Sequence, residues 1–371
     1  MNAFTYWFRG NVYYSKDEFD QAINDYKKAI EIDSNLAGVH ESLLLALSSR
    51  GLGYLKKGEF DKAILDFTEV IKINPIDGLS SRGHAYRGKG DFDKAIADYT
   101  EAIKINPNDT NTHYNLGLAY HHGKGMFAEA IAEYKKVTAI NPNYANVHNN
   151  LGGAYEDKGM LDAGITEYKK AIALNFNDDE VHYFLGGVYD RKGMFNEAIA
   201  EYSKAIRINS SKSIYYNSRA SAYFDLGNFD LTIFDGTAAI KIHPGDSLAY
   251  YLRGFTYLNK KNYERALEDI KKAKELGINV PIQDIEGIRR KVDLNKESQG
   301  CQDRKDQIEF EQRQSAIVEE YYSKITVRRQ QKEMIRYQAK QQAYYNNLYN
   351  KKKRYEIRYN FDGSGATVEE Q

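Results

Sequence analysis

The large apolar residues of this chain recur at helical spacing in blocks of about 34 residues. In the block from Leu79 to Pro107, the second half carries Phe92, Ile96, Tyr99 and Ile103, each three or four positions from the last. Apolar residues at that spacing form one face of a helix. Each half of the block is therefore predicted to be helical, with a turn at residues 88–91 between the halves.

Three columns of residues repeat with the same period. A tyrosine occurs eight times between Tyr13 and Tyr257, with successive spacings of 41, 32, 34, 35, 34, 34 and 34 residues. A small residue precedes each tyrosine by three positions, as at Gly83, and a second one, usually alanine, follows nine or ten positions later, as at Ala95. A fixed period of this length predicts stacked helix pairs, because a single pair cannot bury its own apolar face.

The period is broken at a few places. Seven extra residues between the first two blocks predict a lengthened helix, since they make about two helical turns. One residue is inserted near His121 and His122. In the seventh block Thr232 and Gly236 replace the expected alanine and aromatic residue, and Ile270 replaces the aromatic residue in the eighth. Stacking is expected to be weaker or offset at these positions.

The motif YxxKGxFxxAIxxY, nearly intact in several blocks, resembles the tetratricopeptide repeat. The resemblance implies an all-α fold, an α-solenoid of about eight tetratricopeptide-type helix pairs that forms a right-handed superhelix with a concave groove. It covers residues 3–280, with repeats expected at about 3–36, 44–75, 76–109, 110–144, 145–178, 179–212, 213–246 and 247–280.

Two further segments follow the predicted repeats. Residues 281–297 begin with proline and predict a capping helix, with Ile282, Ile285, Ile288 and Val292 facing the last repeat. Residues 298–371 form a charged tail rich in Gln, Lys and Tyr. It contains no proline or glycine from 303 to 359. A long polar helix to about residue 359 is expected, with a weak coiled-coil pattern, followed by disorder.

Composition narrows the class of protein without naming a partner. The chain has 371 residues, 42% of them hydrophobic, and equal numbers of basic and acidic residues, 52 each. No apolar run approaches the roughly 18 residues of a transmembrane helix. The first residues lack the pattern of a signal peptide. Cys301 is the only cysteine, so an intramolecular disulfide is impossible. These features favour a cytoplasmic protein without a transmembrane segment.

The sequence offers no pattern that is typical of catalysis. The glycines follow the repeat and are interpreted as turn residues, not as a phosphate-binding loop. His113, His148 and His182 occupy different repeats, too far apart to share a metal ion. His121 and His122 are the better metal candidates, but a packing or surface role is favoured for all five. We expect no catalytic residue, metal or cofactor, and therefore a non-enzymatic protein.

The predicted groove is the candidate functional site, because in this family the first helix of each pair lines it. The NLG context of Asn115 and Asn150 is similar to that of O-linked sugar transferases, in which asparagines hold peptide backbones. An asparagine can both donate to and accept from an extended backbone, although it can also bond a neighbouring repeat. The candidate peptide-binding residues are Tyr114, Asn115, Asn149, Asn150, Tyr183, Asn217 and Tyr251.

Two functions are compatible with these features. The first is a protein–protein interaction scaffold that binds an extended peptide or protein segment in the groove. The heat-shock chaperone tail is not the expected ligand, because Trp7 stands where its carboxylate clamp requires a lysine. The alternative is binding of nucleic acid or an anionic surface by the tail, where Lys351, Lys352, Lys353 and Arg354 are interleaved with tyrosines. A solvated helix would explain the same charges.

Overall fold

The computed structural model describes residues 1–175, 177–300, 309–317, 355–358 and 367–370. The prediction of an all-α fold of helix pairs is confirmed for the described part of residues 1–280. The helices are α1 (Ala3–Tyr14), α2 (Phe19–Ile32), α3 (Val39–Lys56), α4 (Phe60–Ile73), α5 (Pro75–Lys89), α6 (Phe92–Ile105), α7 (Thr110–Leu118), a π-helix (Ala119–Lys124), α8 (Phe127–Ile140), α9 (Ala145–Asp157), α10 (Leu161–Leu174), α11 (Asp179–Arg191), α12 (Phe195–Ile208), α13 (Ser213–Asp225), α14 (Phe229–Ile242), α15 (Ser247–Asn259), α16 (Tyr263–Glu275), α17 (Ile282–Gly300) and α18 (309–317).

The chain divides into two compact units. The first comprises residues 1–174 and 354–371, and the second comprises residues 175–353. Helices α1 to α10 form five pairs in the first unit, and α11 to α16 form three pairs in the second. Within each unit, the second helix of a pair packs against its partner and against the first helix of the next pair. Each pair therefore depends on its neighbours for burial of its apolar face.

The column of small residues exists because an aromatic ring from the second helix lies directly against the first. A Cβ atom on Gly83 would lie 2.8 Å from Cε1 of Tyr99, and one on Gly117 would lie 2.5 Å from Cε1 of Tyr134. Both tyrosines are fully buried. Any larger side chain at these glycines would push the ring out of the core.

The turns inside the pairs explain the second group of glycines. Gly58 and Gly90 have φ angles of 74° and 89°. This left-handed conformation favours glycine because it has no Cβ atom. The first and eighth pairs adopt it without glycine, at Asp17 with φ 58° and Lys261 with φ 59°. The interpretation of these glycines as turn residues is consistent with this geometry.

Two sequence irregularities correspond to distinct backbone features. The seven extra residues accompany a lengthened first helix, α3, which has 18 residues where α9 has 13. The single inserted residue lies in the π-helix, which continues α7 and ends at Gly125 with φ 63°. A π-helix accommodates one extra residue without shifting the helix that follows.

The segment after the last pair only partly follows the prediction. In α17, Ile288 and Val292 are 3% and 6% exposed, and Ile288 packs in a cluster with Ile270 and Val280. Ile282 is 65% exposed, so its predicted inward orientation is wrong. It is the first residue of the helix, before the turn that reaches the cluster.

The end of the tail contains two strands. Strand β1 (Tyr355–Arg358) pairs antiparallel with β2 (Thr367–Glu370), with Ile357 opposite Val368. The predictions of helix to about residue 359 and of disorder beyond it are therefore wrong at these eight positions. The physical reason is visible in the sequence, where the β-branched residues Ile357, Thr367 and Val368, which favour strands, lie on either side of a Gly-Ser-Gly segment. Most of the predicted tail helix lies outside the described residues.

Candidate functional site

The predicted groove residues of the first unit lie on α7 and α9. Tyr114 and Asn115 are on α7, and Asn149 and Asn150 are on α9; all four are partly exposed. Asn150 donates from Nδ2 to the Tyr114 hydroxyl at 2.8 Å and to the Asn146 carbonyl oxygen at 3.0 Å. Asn150 therefore joins two successive helix pairs, as the alternative interpretation of these asparagines expects.

In the second unit, the predicted groove residues are largely engaged in packing. The Tyr183 ring lies 5.0 Å from that of Tyr215, and the Tyr251 ring lies 5.0 Å from that of Phe255. Asn217 is only 4% exposed, and its Nδ2 donates to Asp246 at 2.7 Å. Its prediction as a peptide-binding residue is wrong, because its buried amide side chain is held by the next helix pair.

An acidic residue occurs three positions after the second small residue in every pair, buried in seven pairs and half-buried at Glu201, and the sequence analysis did not predict it. In five pairs it is an aspartate that accepts two hydrogen bonds from an arginine sixteen residues earlier, with N–O distances of 2.6 to 2.9 Å. These Arg–Asp pairs are Arg9–Asp25, Arg50–Asp66, Arg82–Asp98, Arg219–Asp235 and Arg253–Asp269. The signal was an arginine directly before the small residue, with aspartate at a constant offset.

In the other three pairs the acidic residue is a glutamate, and the histidines predicted to have packing roles contact it. His113, His148 and His182 each place Nδ1 2.6 to 2.7 Å from the glutamate Oε2 atom. We call these contacts the His–Glu pairs; they are His113–Glu133, His148–Glu167 and His182–Glu201. The geometry supports packing over metal binding. Within the described residues, no group of three His, Cys, Asp or Glu could hold a metal ion.

The two other histidines of interest lie in the π-helix. Nε2 of His121 is 2.9 Å from Oδ2 of Asp157 on α9, and the His121 and His122 rings stack at 4.2 Å. His121 is 5% exposed. Its buried Nδ1 has no hydrogen-bond partner among the described residues. The one-residue insertion therefore places a buried imidazole where it bonds the next helix pair.

A second cluster of polar groups with unmet hydrogen bonds lies on α5 and α8. Nη2 of Arg87 is 3.4 Å from Nε2 of His84, and Nε of Arg87 is buried without a hydrogen-bond partner in the described part of the chain. The same is true of the hydroxyl of Tyr134, a residue that is fully buried. Burial, with a smaller effect from the Arg87 charge, lowers the pKa of His84 to about 3. Burial holds the pKa of Tyr134 well above its usual range.

The basic tail residues cannot be placed. Lys351, Lys352, Lys353 and Arg354 lie outside the described residues, as does Cys301. No helix in the described ranges is long and apolar enough to cross a membrane.

Family comparisons agree with the helix-pair architecture. The model described as TPR repeat matches residues 10–47, 83–123 and 122–159, and two models described as tetratricopeptide repeat match 46–77, 145–178, 179–212 and 237–268. The chain belongs to the tetratricopeptide repeat family. Membership of this family supports a role as a protein-interaction scaffold. No curated protein matched the chain.

Several solved structures are similar to this chain. A tetratricopeptide repeat protein from Parabacteroides merdae ATCC 43184 has 20% sequence identity and a TM-score of 0.50, over 67% of this chain and 98% of that protein. YrrB, described as a TPR protein with an unusual peptide-binding site, has 23% identity and a TM-score of 0.43, over 48% of this chain and 92% of its own. MamA has 28% identity and a TM-score of 0.40, over 56% and 98%. The first of these supports the fold.

Proposed function

We propose that this protein is a non-enzymatic scaffold that binds an extended peptide segment on the α7–α9 face of its first unit. The observation that carries the proposal is the pair of partly exposed amides, Asn115 and Asn149, on successive first helices. Each amide offers a donor and an acceptor, which matches the backbone of an extended peptide. The repeats supply a rigid frame, because the Asn150–Tyr114 bond fixes α9 against α7.

The three asparagines have different roles in this proposal. Asn115 and Asn149 contact the peptide, whereas Asn150 holds the frame through its bonds to Tyr114 and to the backbone of α9. Tyr114 packs against Tyr144 at 5.2 Å and Tyr134 at 6.1 Å, so its ring forms part of the wall. The acidic Asp157 and Glu156 follow at the end of α9. A bound segment therefore lies between amides and carboxylates.

The test uses a library of random 12-residue peptides with amidated C-termini, selected on the full chain. Asn115→Ala with Asn149→Ala is expected to weaken binding of the selected peptides by about 1 kcal/mol per lost hydrogen bond, with unchanged helicity. Asn146→Ala is the matched control, since Asn146 is exposed on α9 and contributes only its backbone carbonyl. Unchanged affinity in the double variant would overturn the proposal, and so would a library that yields no peptide.

The alternative function of the tail remains a prediction, because its basic residues lie outside the described part of the chain. The proposal therefore rests on the first unit alone.

A further inference from the structure

Arg87 differs from the five arginines of the Arg–Asp pairs. Arg9, Arg50, Arg82, Arg219 and Arg253 all bond a buried aspartate, as described above. Arg87 lacks a carboxylate partner in the described part of the chain, and its one polar contact there is the 3.4 Å approach to His84. A guanidinium group carries five donors, and Arg87 is only partly buried, so donors other than Nε can reach a ligand at the surface.

Two buried groups nearby have unmet hydrogen bonds of their own. The Tyr134 hydroxyl lies close enough to Arg87 for the arginine charge to act on it. The His121 ring meets the Tyr134 ring edge to face at 6.3 Å, and its Nδ1 atom has no partner within the described ranges. Buried polar atoms without partners are uncommon in native proteins, so three of them in one region set it apart from the other helix pairs. These groups adjoin one region of the first unit, from α5 to the π-helix.

In the next helix pair, Gly153 packs against the His121 ring. At Gly153 on α9, an added Cβ atom would lie 3.4 Å from Cε1 of His121 and 3.5 Å from the Tyr168 hydroxyl. Gly153 is partly exposed, whereas His121 beneath it is 5% exposed.

One repeat position carries a different charge in successive helix pairs. The residue after the repeated tyrosine is Arg87 in the third pair, His121 in the fourth and Glu156 in the fifth. An anion is therefore favoured at α5 and disfavoured at α9, where Asp157 adds a second carboxylate. Since the proposed ligand is an extended peptide, the anion that fits at α5 is an acidic side chain.

We propose that Arg87 binds the carboxylate of an aspartate or glutamate side chain of the peptide, in a site formed with His84 and the π-helix. This proposal rests on the proposed peptide-binding function and specifies its ligand chemistry. A planar guanidinium can bind a carboxylate through two parallel hydrogen bonds, which is the strongest side-chain pairing available at a half-buried position. Neutral His84 does not oppose the bound anion and leaves the Arg87 charge to attract it.

The site predicts the composition of the ligands and the effect of two substitutions. Peptides selected from the amidated 12-residue library on the full chain should share an acidic residue at one position. Arg87→Gln should weaken their binding about tenfold, as should changing that acidic residue to its amide. In the Arg87→Gln protein, the acidic and amide peptides should bind equally, because the two changes remove the same contact. Fluorescence polarisation of labelled peptides measures all four affinities.

Controls separate this site from a general effect of charge or folding. Lys104→Gln removes a positive charge from an exposed position on α6 and should leave affinity unchanged. Arg87→Lys should recover part of the binding, because it keeps the charge but loses the two-bond geometry. Far-UV circular dichroism should show the same helicity in all variants, since Arg87 forms no ion pair with a carboxylate in the described part of the chain.

Each outcome decides between the proposals. Selected peptides without a shared acidic residue, or an unchanged acidic preference in the Arg87→Gln protein, would overturn the carboxylate site and leave the peptide-binding function standing. A library that yields no peptide would overturn both. Amidation removes the terminal carboxylate, so an acidic preference in these peptides can arise only from side chains.

Discussion

The helix pairs of this protein hold the carboxylate at the same repeat position in two ways. In pairs one, two, three, seven and eight a short aspartate meets a long arginine, whereas in pairs four, five and six a longer glutamate meets a shorter histidine. The histidine stands one helical turn before the arginine position, which is leucine in these three pairs. Length lost on one side chain is thus regained on the other. The acidic group is the fixed requirement, and its partner is exchangeable.

The two arrangements differ in how many side chains hold the carboxylate. In the described contacts of Asp235, Arg219 is the cationic partner, and the aspartate side chain is 1% exposed. Glu133 contacts His113 and also accepts from Lys136 at 2.8 Å, and its side chain is 12% exposed. Loss of one partner should therefore harm an Arg–Asp pair more than a His–Glu pair. This difference can be tested by removing the basic partner from one pair of each kind and measuring local stability.

The largest effect is expected from Arg219→Leu. It leaves Asp235 buried without its counter-ion, which costs about 3 kcal/mol of local stability. Repeat arrays do not unfold as one unit, so hydrogen exchange of the α13 and α14 amides is the appropriate measurement. Lys241→Leu is the matched control on the exposed face of α14 and should change stability by less than about 0.5 kcal/mol. Equal exchange in the two variants would contradict the importance of the buried pair.

A smaller effect is expected from His113→Leu. Glu133 loses the imidazole but keeps Lys136 and is slightly exposed, so the loss should be about 1 to 2 kcal/mol. Hydrogen exchange of α7 and α8 measures it. The carbonyl oxygen of Pro107 also loses its contact with Nε2 of His113, 2.9 Å away in the native protein.

A more stringent test converts a His–Glu pair into an Arg–Asp pair. Adding Leu116→Arg and Glu133→Asp to His113→Leu gives the fourth pair the residues of an Arg–Asp pair. Stability should return towards that of the unchanged protein, because the long arginine again reaches a short carboxylate. A triple variant less stable than His113→Leu alone would show that the partners are not exchangeable.

The sequence predicted the helix pairs because their periodicity is set by burial, which repeats in every block. It also predicted structural roles for the glycines at turns and for the in-register histidines. It did not reveal the partners of His113 or Arg82, since those lie 16 to 20 residues away, across two helices. Asn217 and Ile282 were wrongly placed because helical spacing gives a face but not the neighbour that covers it. The strands near the chain end were missed because each has only four residues, too few to give a clear pattern beside a long polar helical segment.

Histidines in this protein also differ by the charge of their neighbour. His113 faces a carboxylate, whereas Nε2 of His84 faces the guanidinium of Arg87 at 3.4 Å. Burial and the nearby arginine lower the pKa of His84 to about 3, so the ring is neutral in the folded protein. In the unfolded chain it takes up a proton near pH 6.5. The stability that depends on neutral His84 is therefore complete above about pH 6.5 and decreases as the pH falls towards 3.

The smallest expected effect is the pH dependence that His84 gives to the stability of the protein. Lowering the pH from about 7 to about 5 should reduce stability by roughly 1 to 2 kcal/mol through His84 alone, because the unfolded chain binds the extra proton. Other groups titrate in the same range, so the informative quantity is the difference between the unchanged protein and His84→Gln in urea titrations at both pH values. Glutamine can still accept a hydrogen bond from Arg87 but does not titrate. If both proteins lose the same stability on acidification, the imidazole of His84 is not kept neutral by its position beside Arg87.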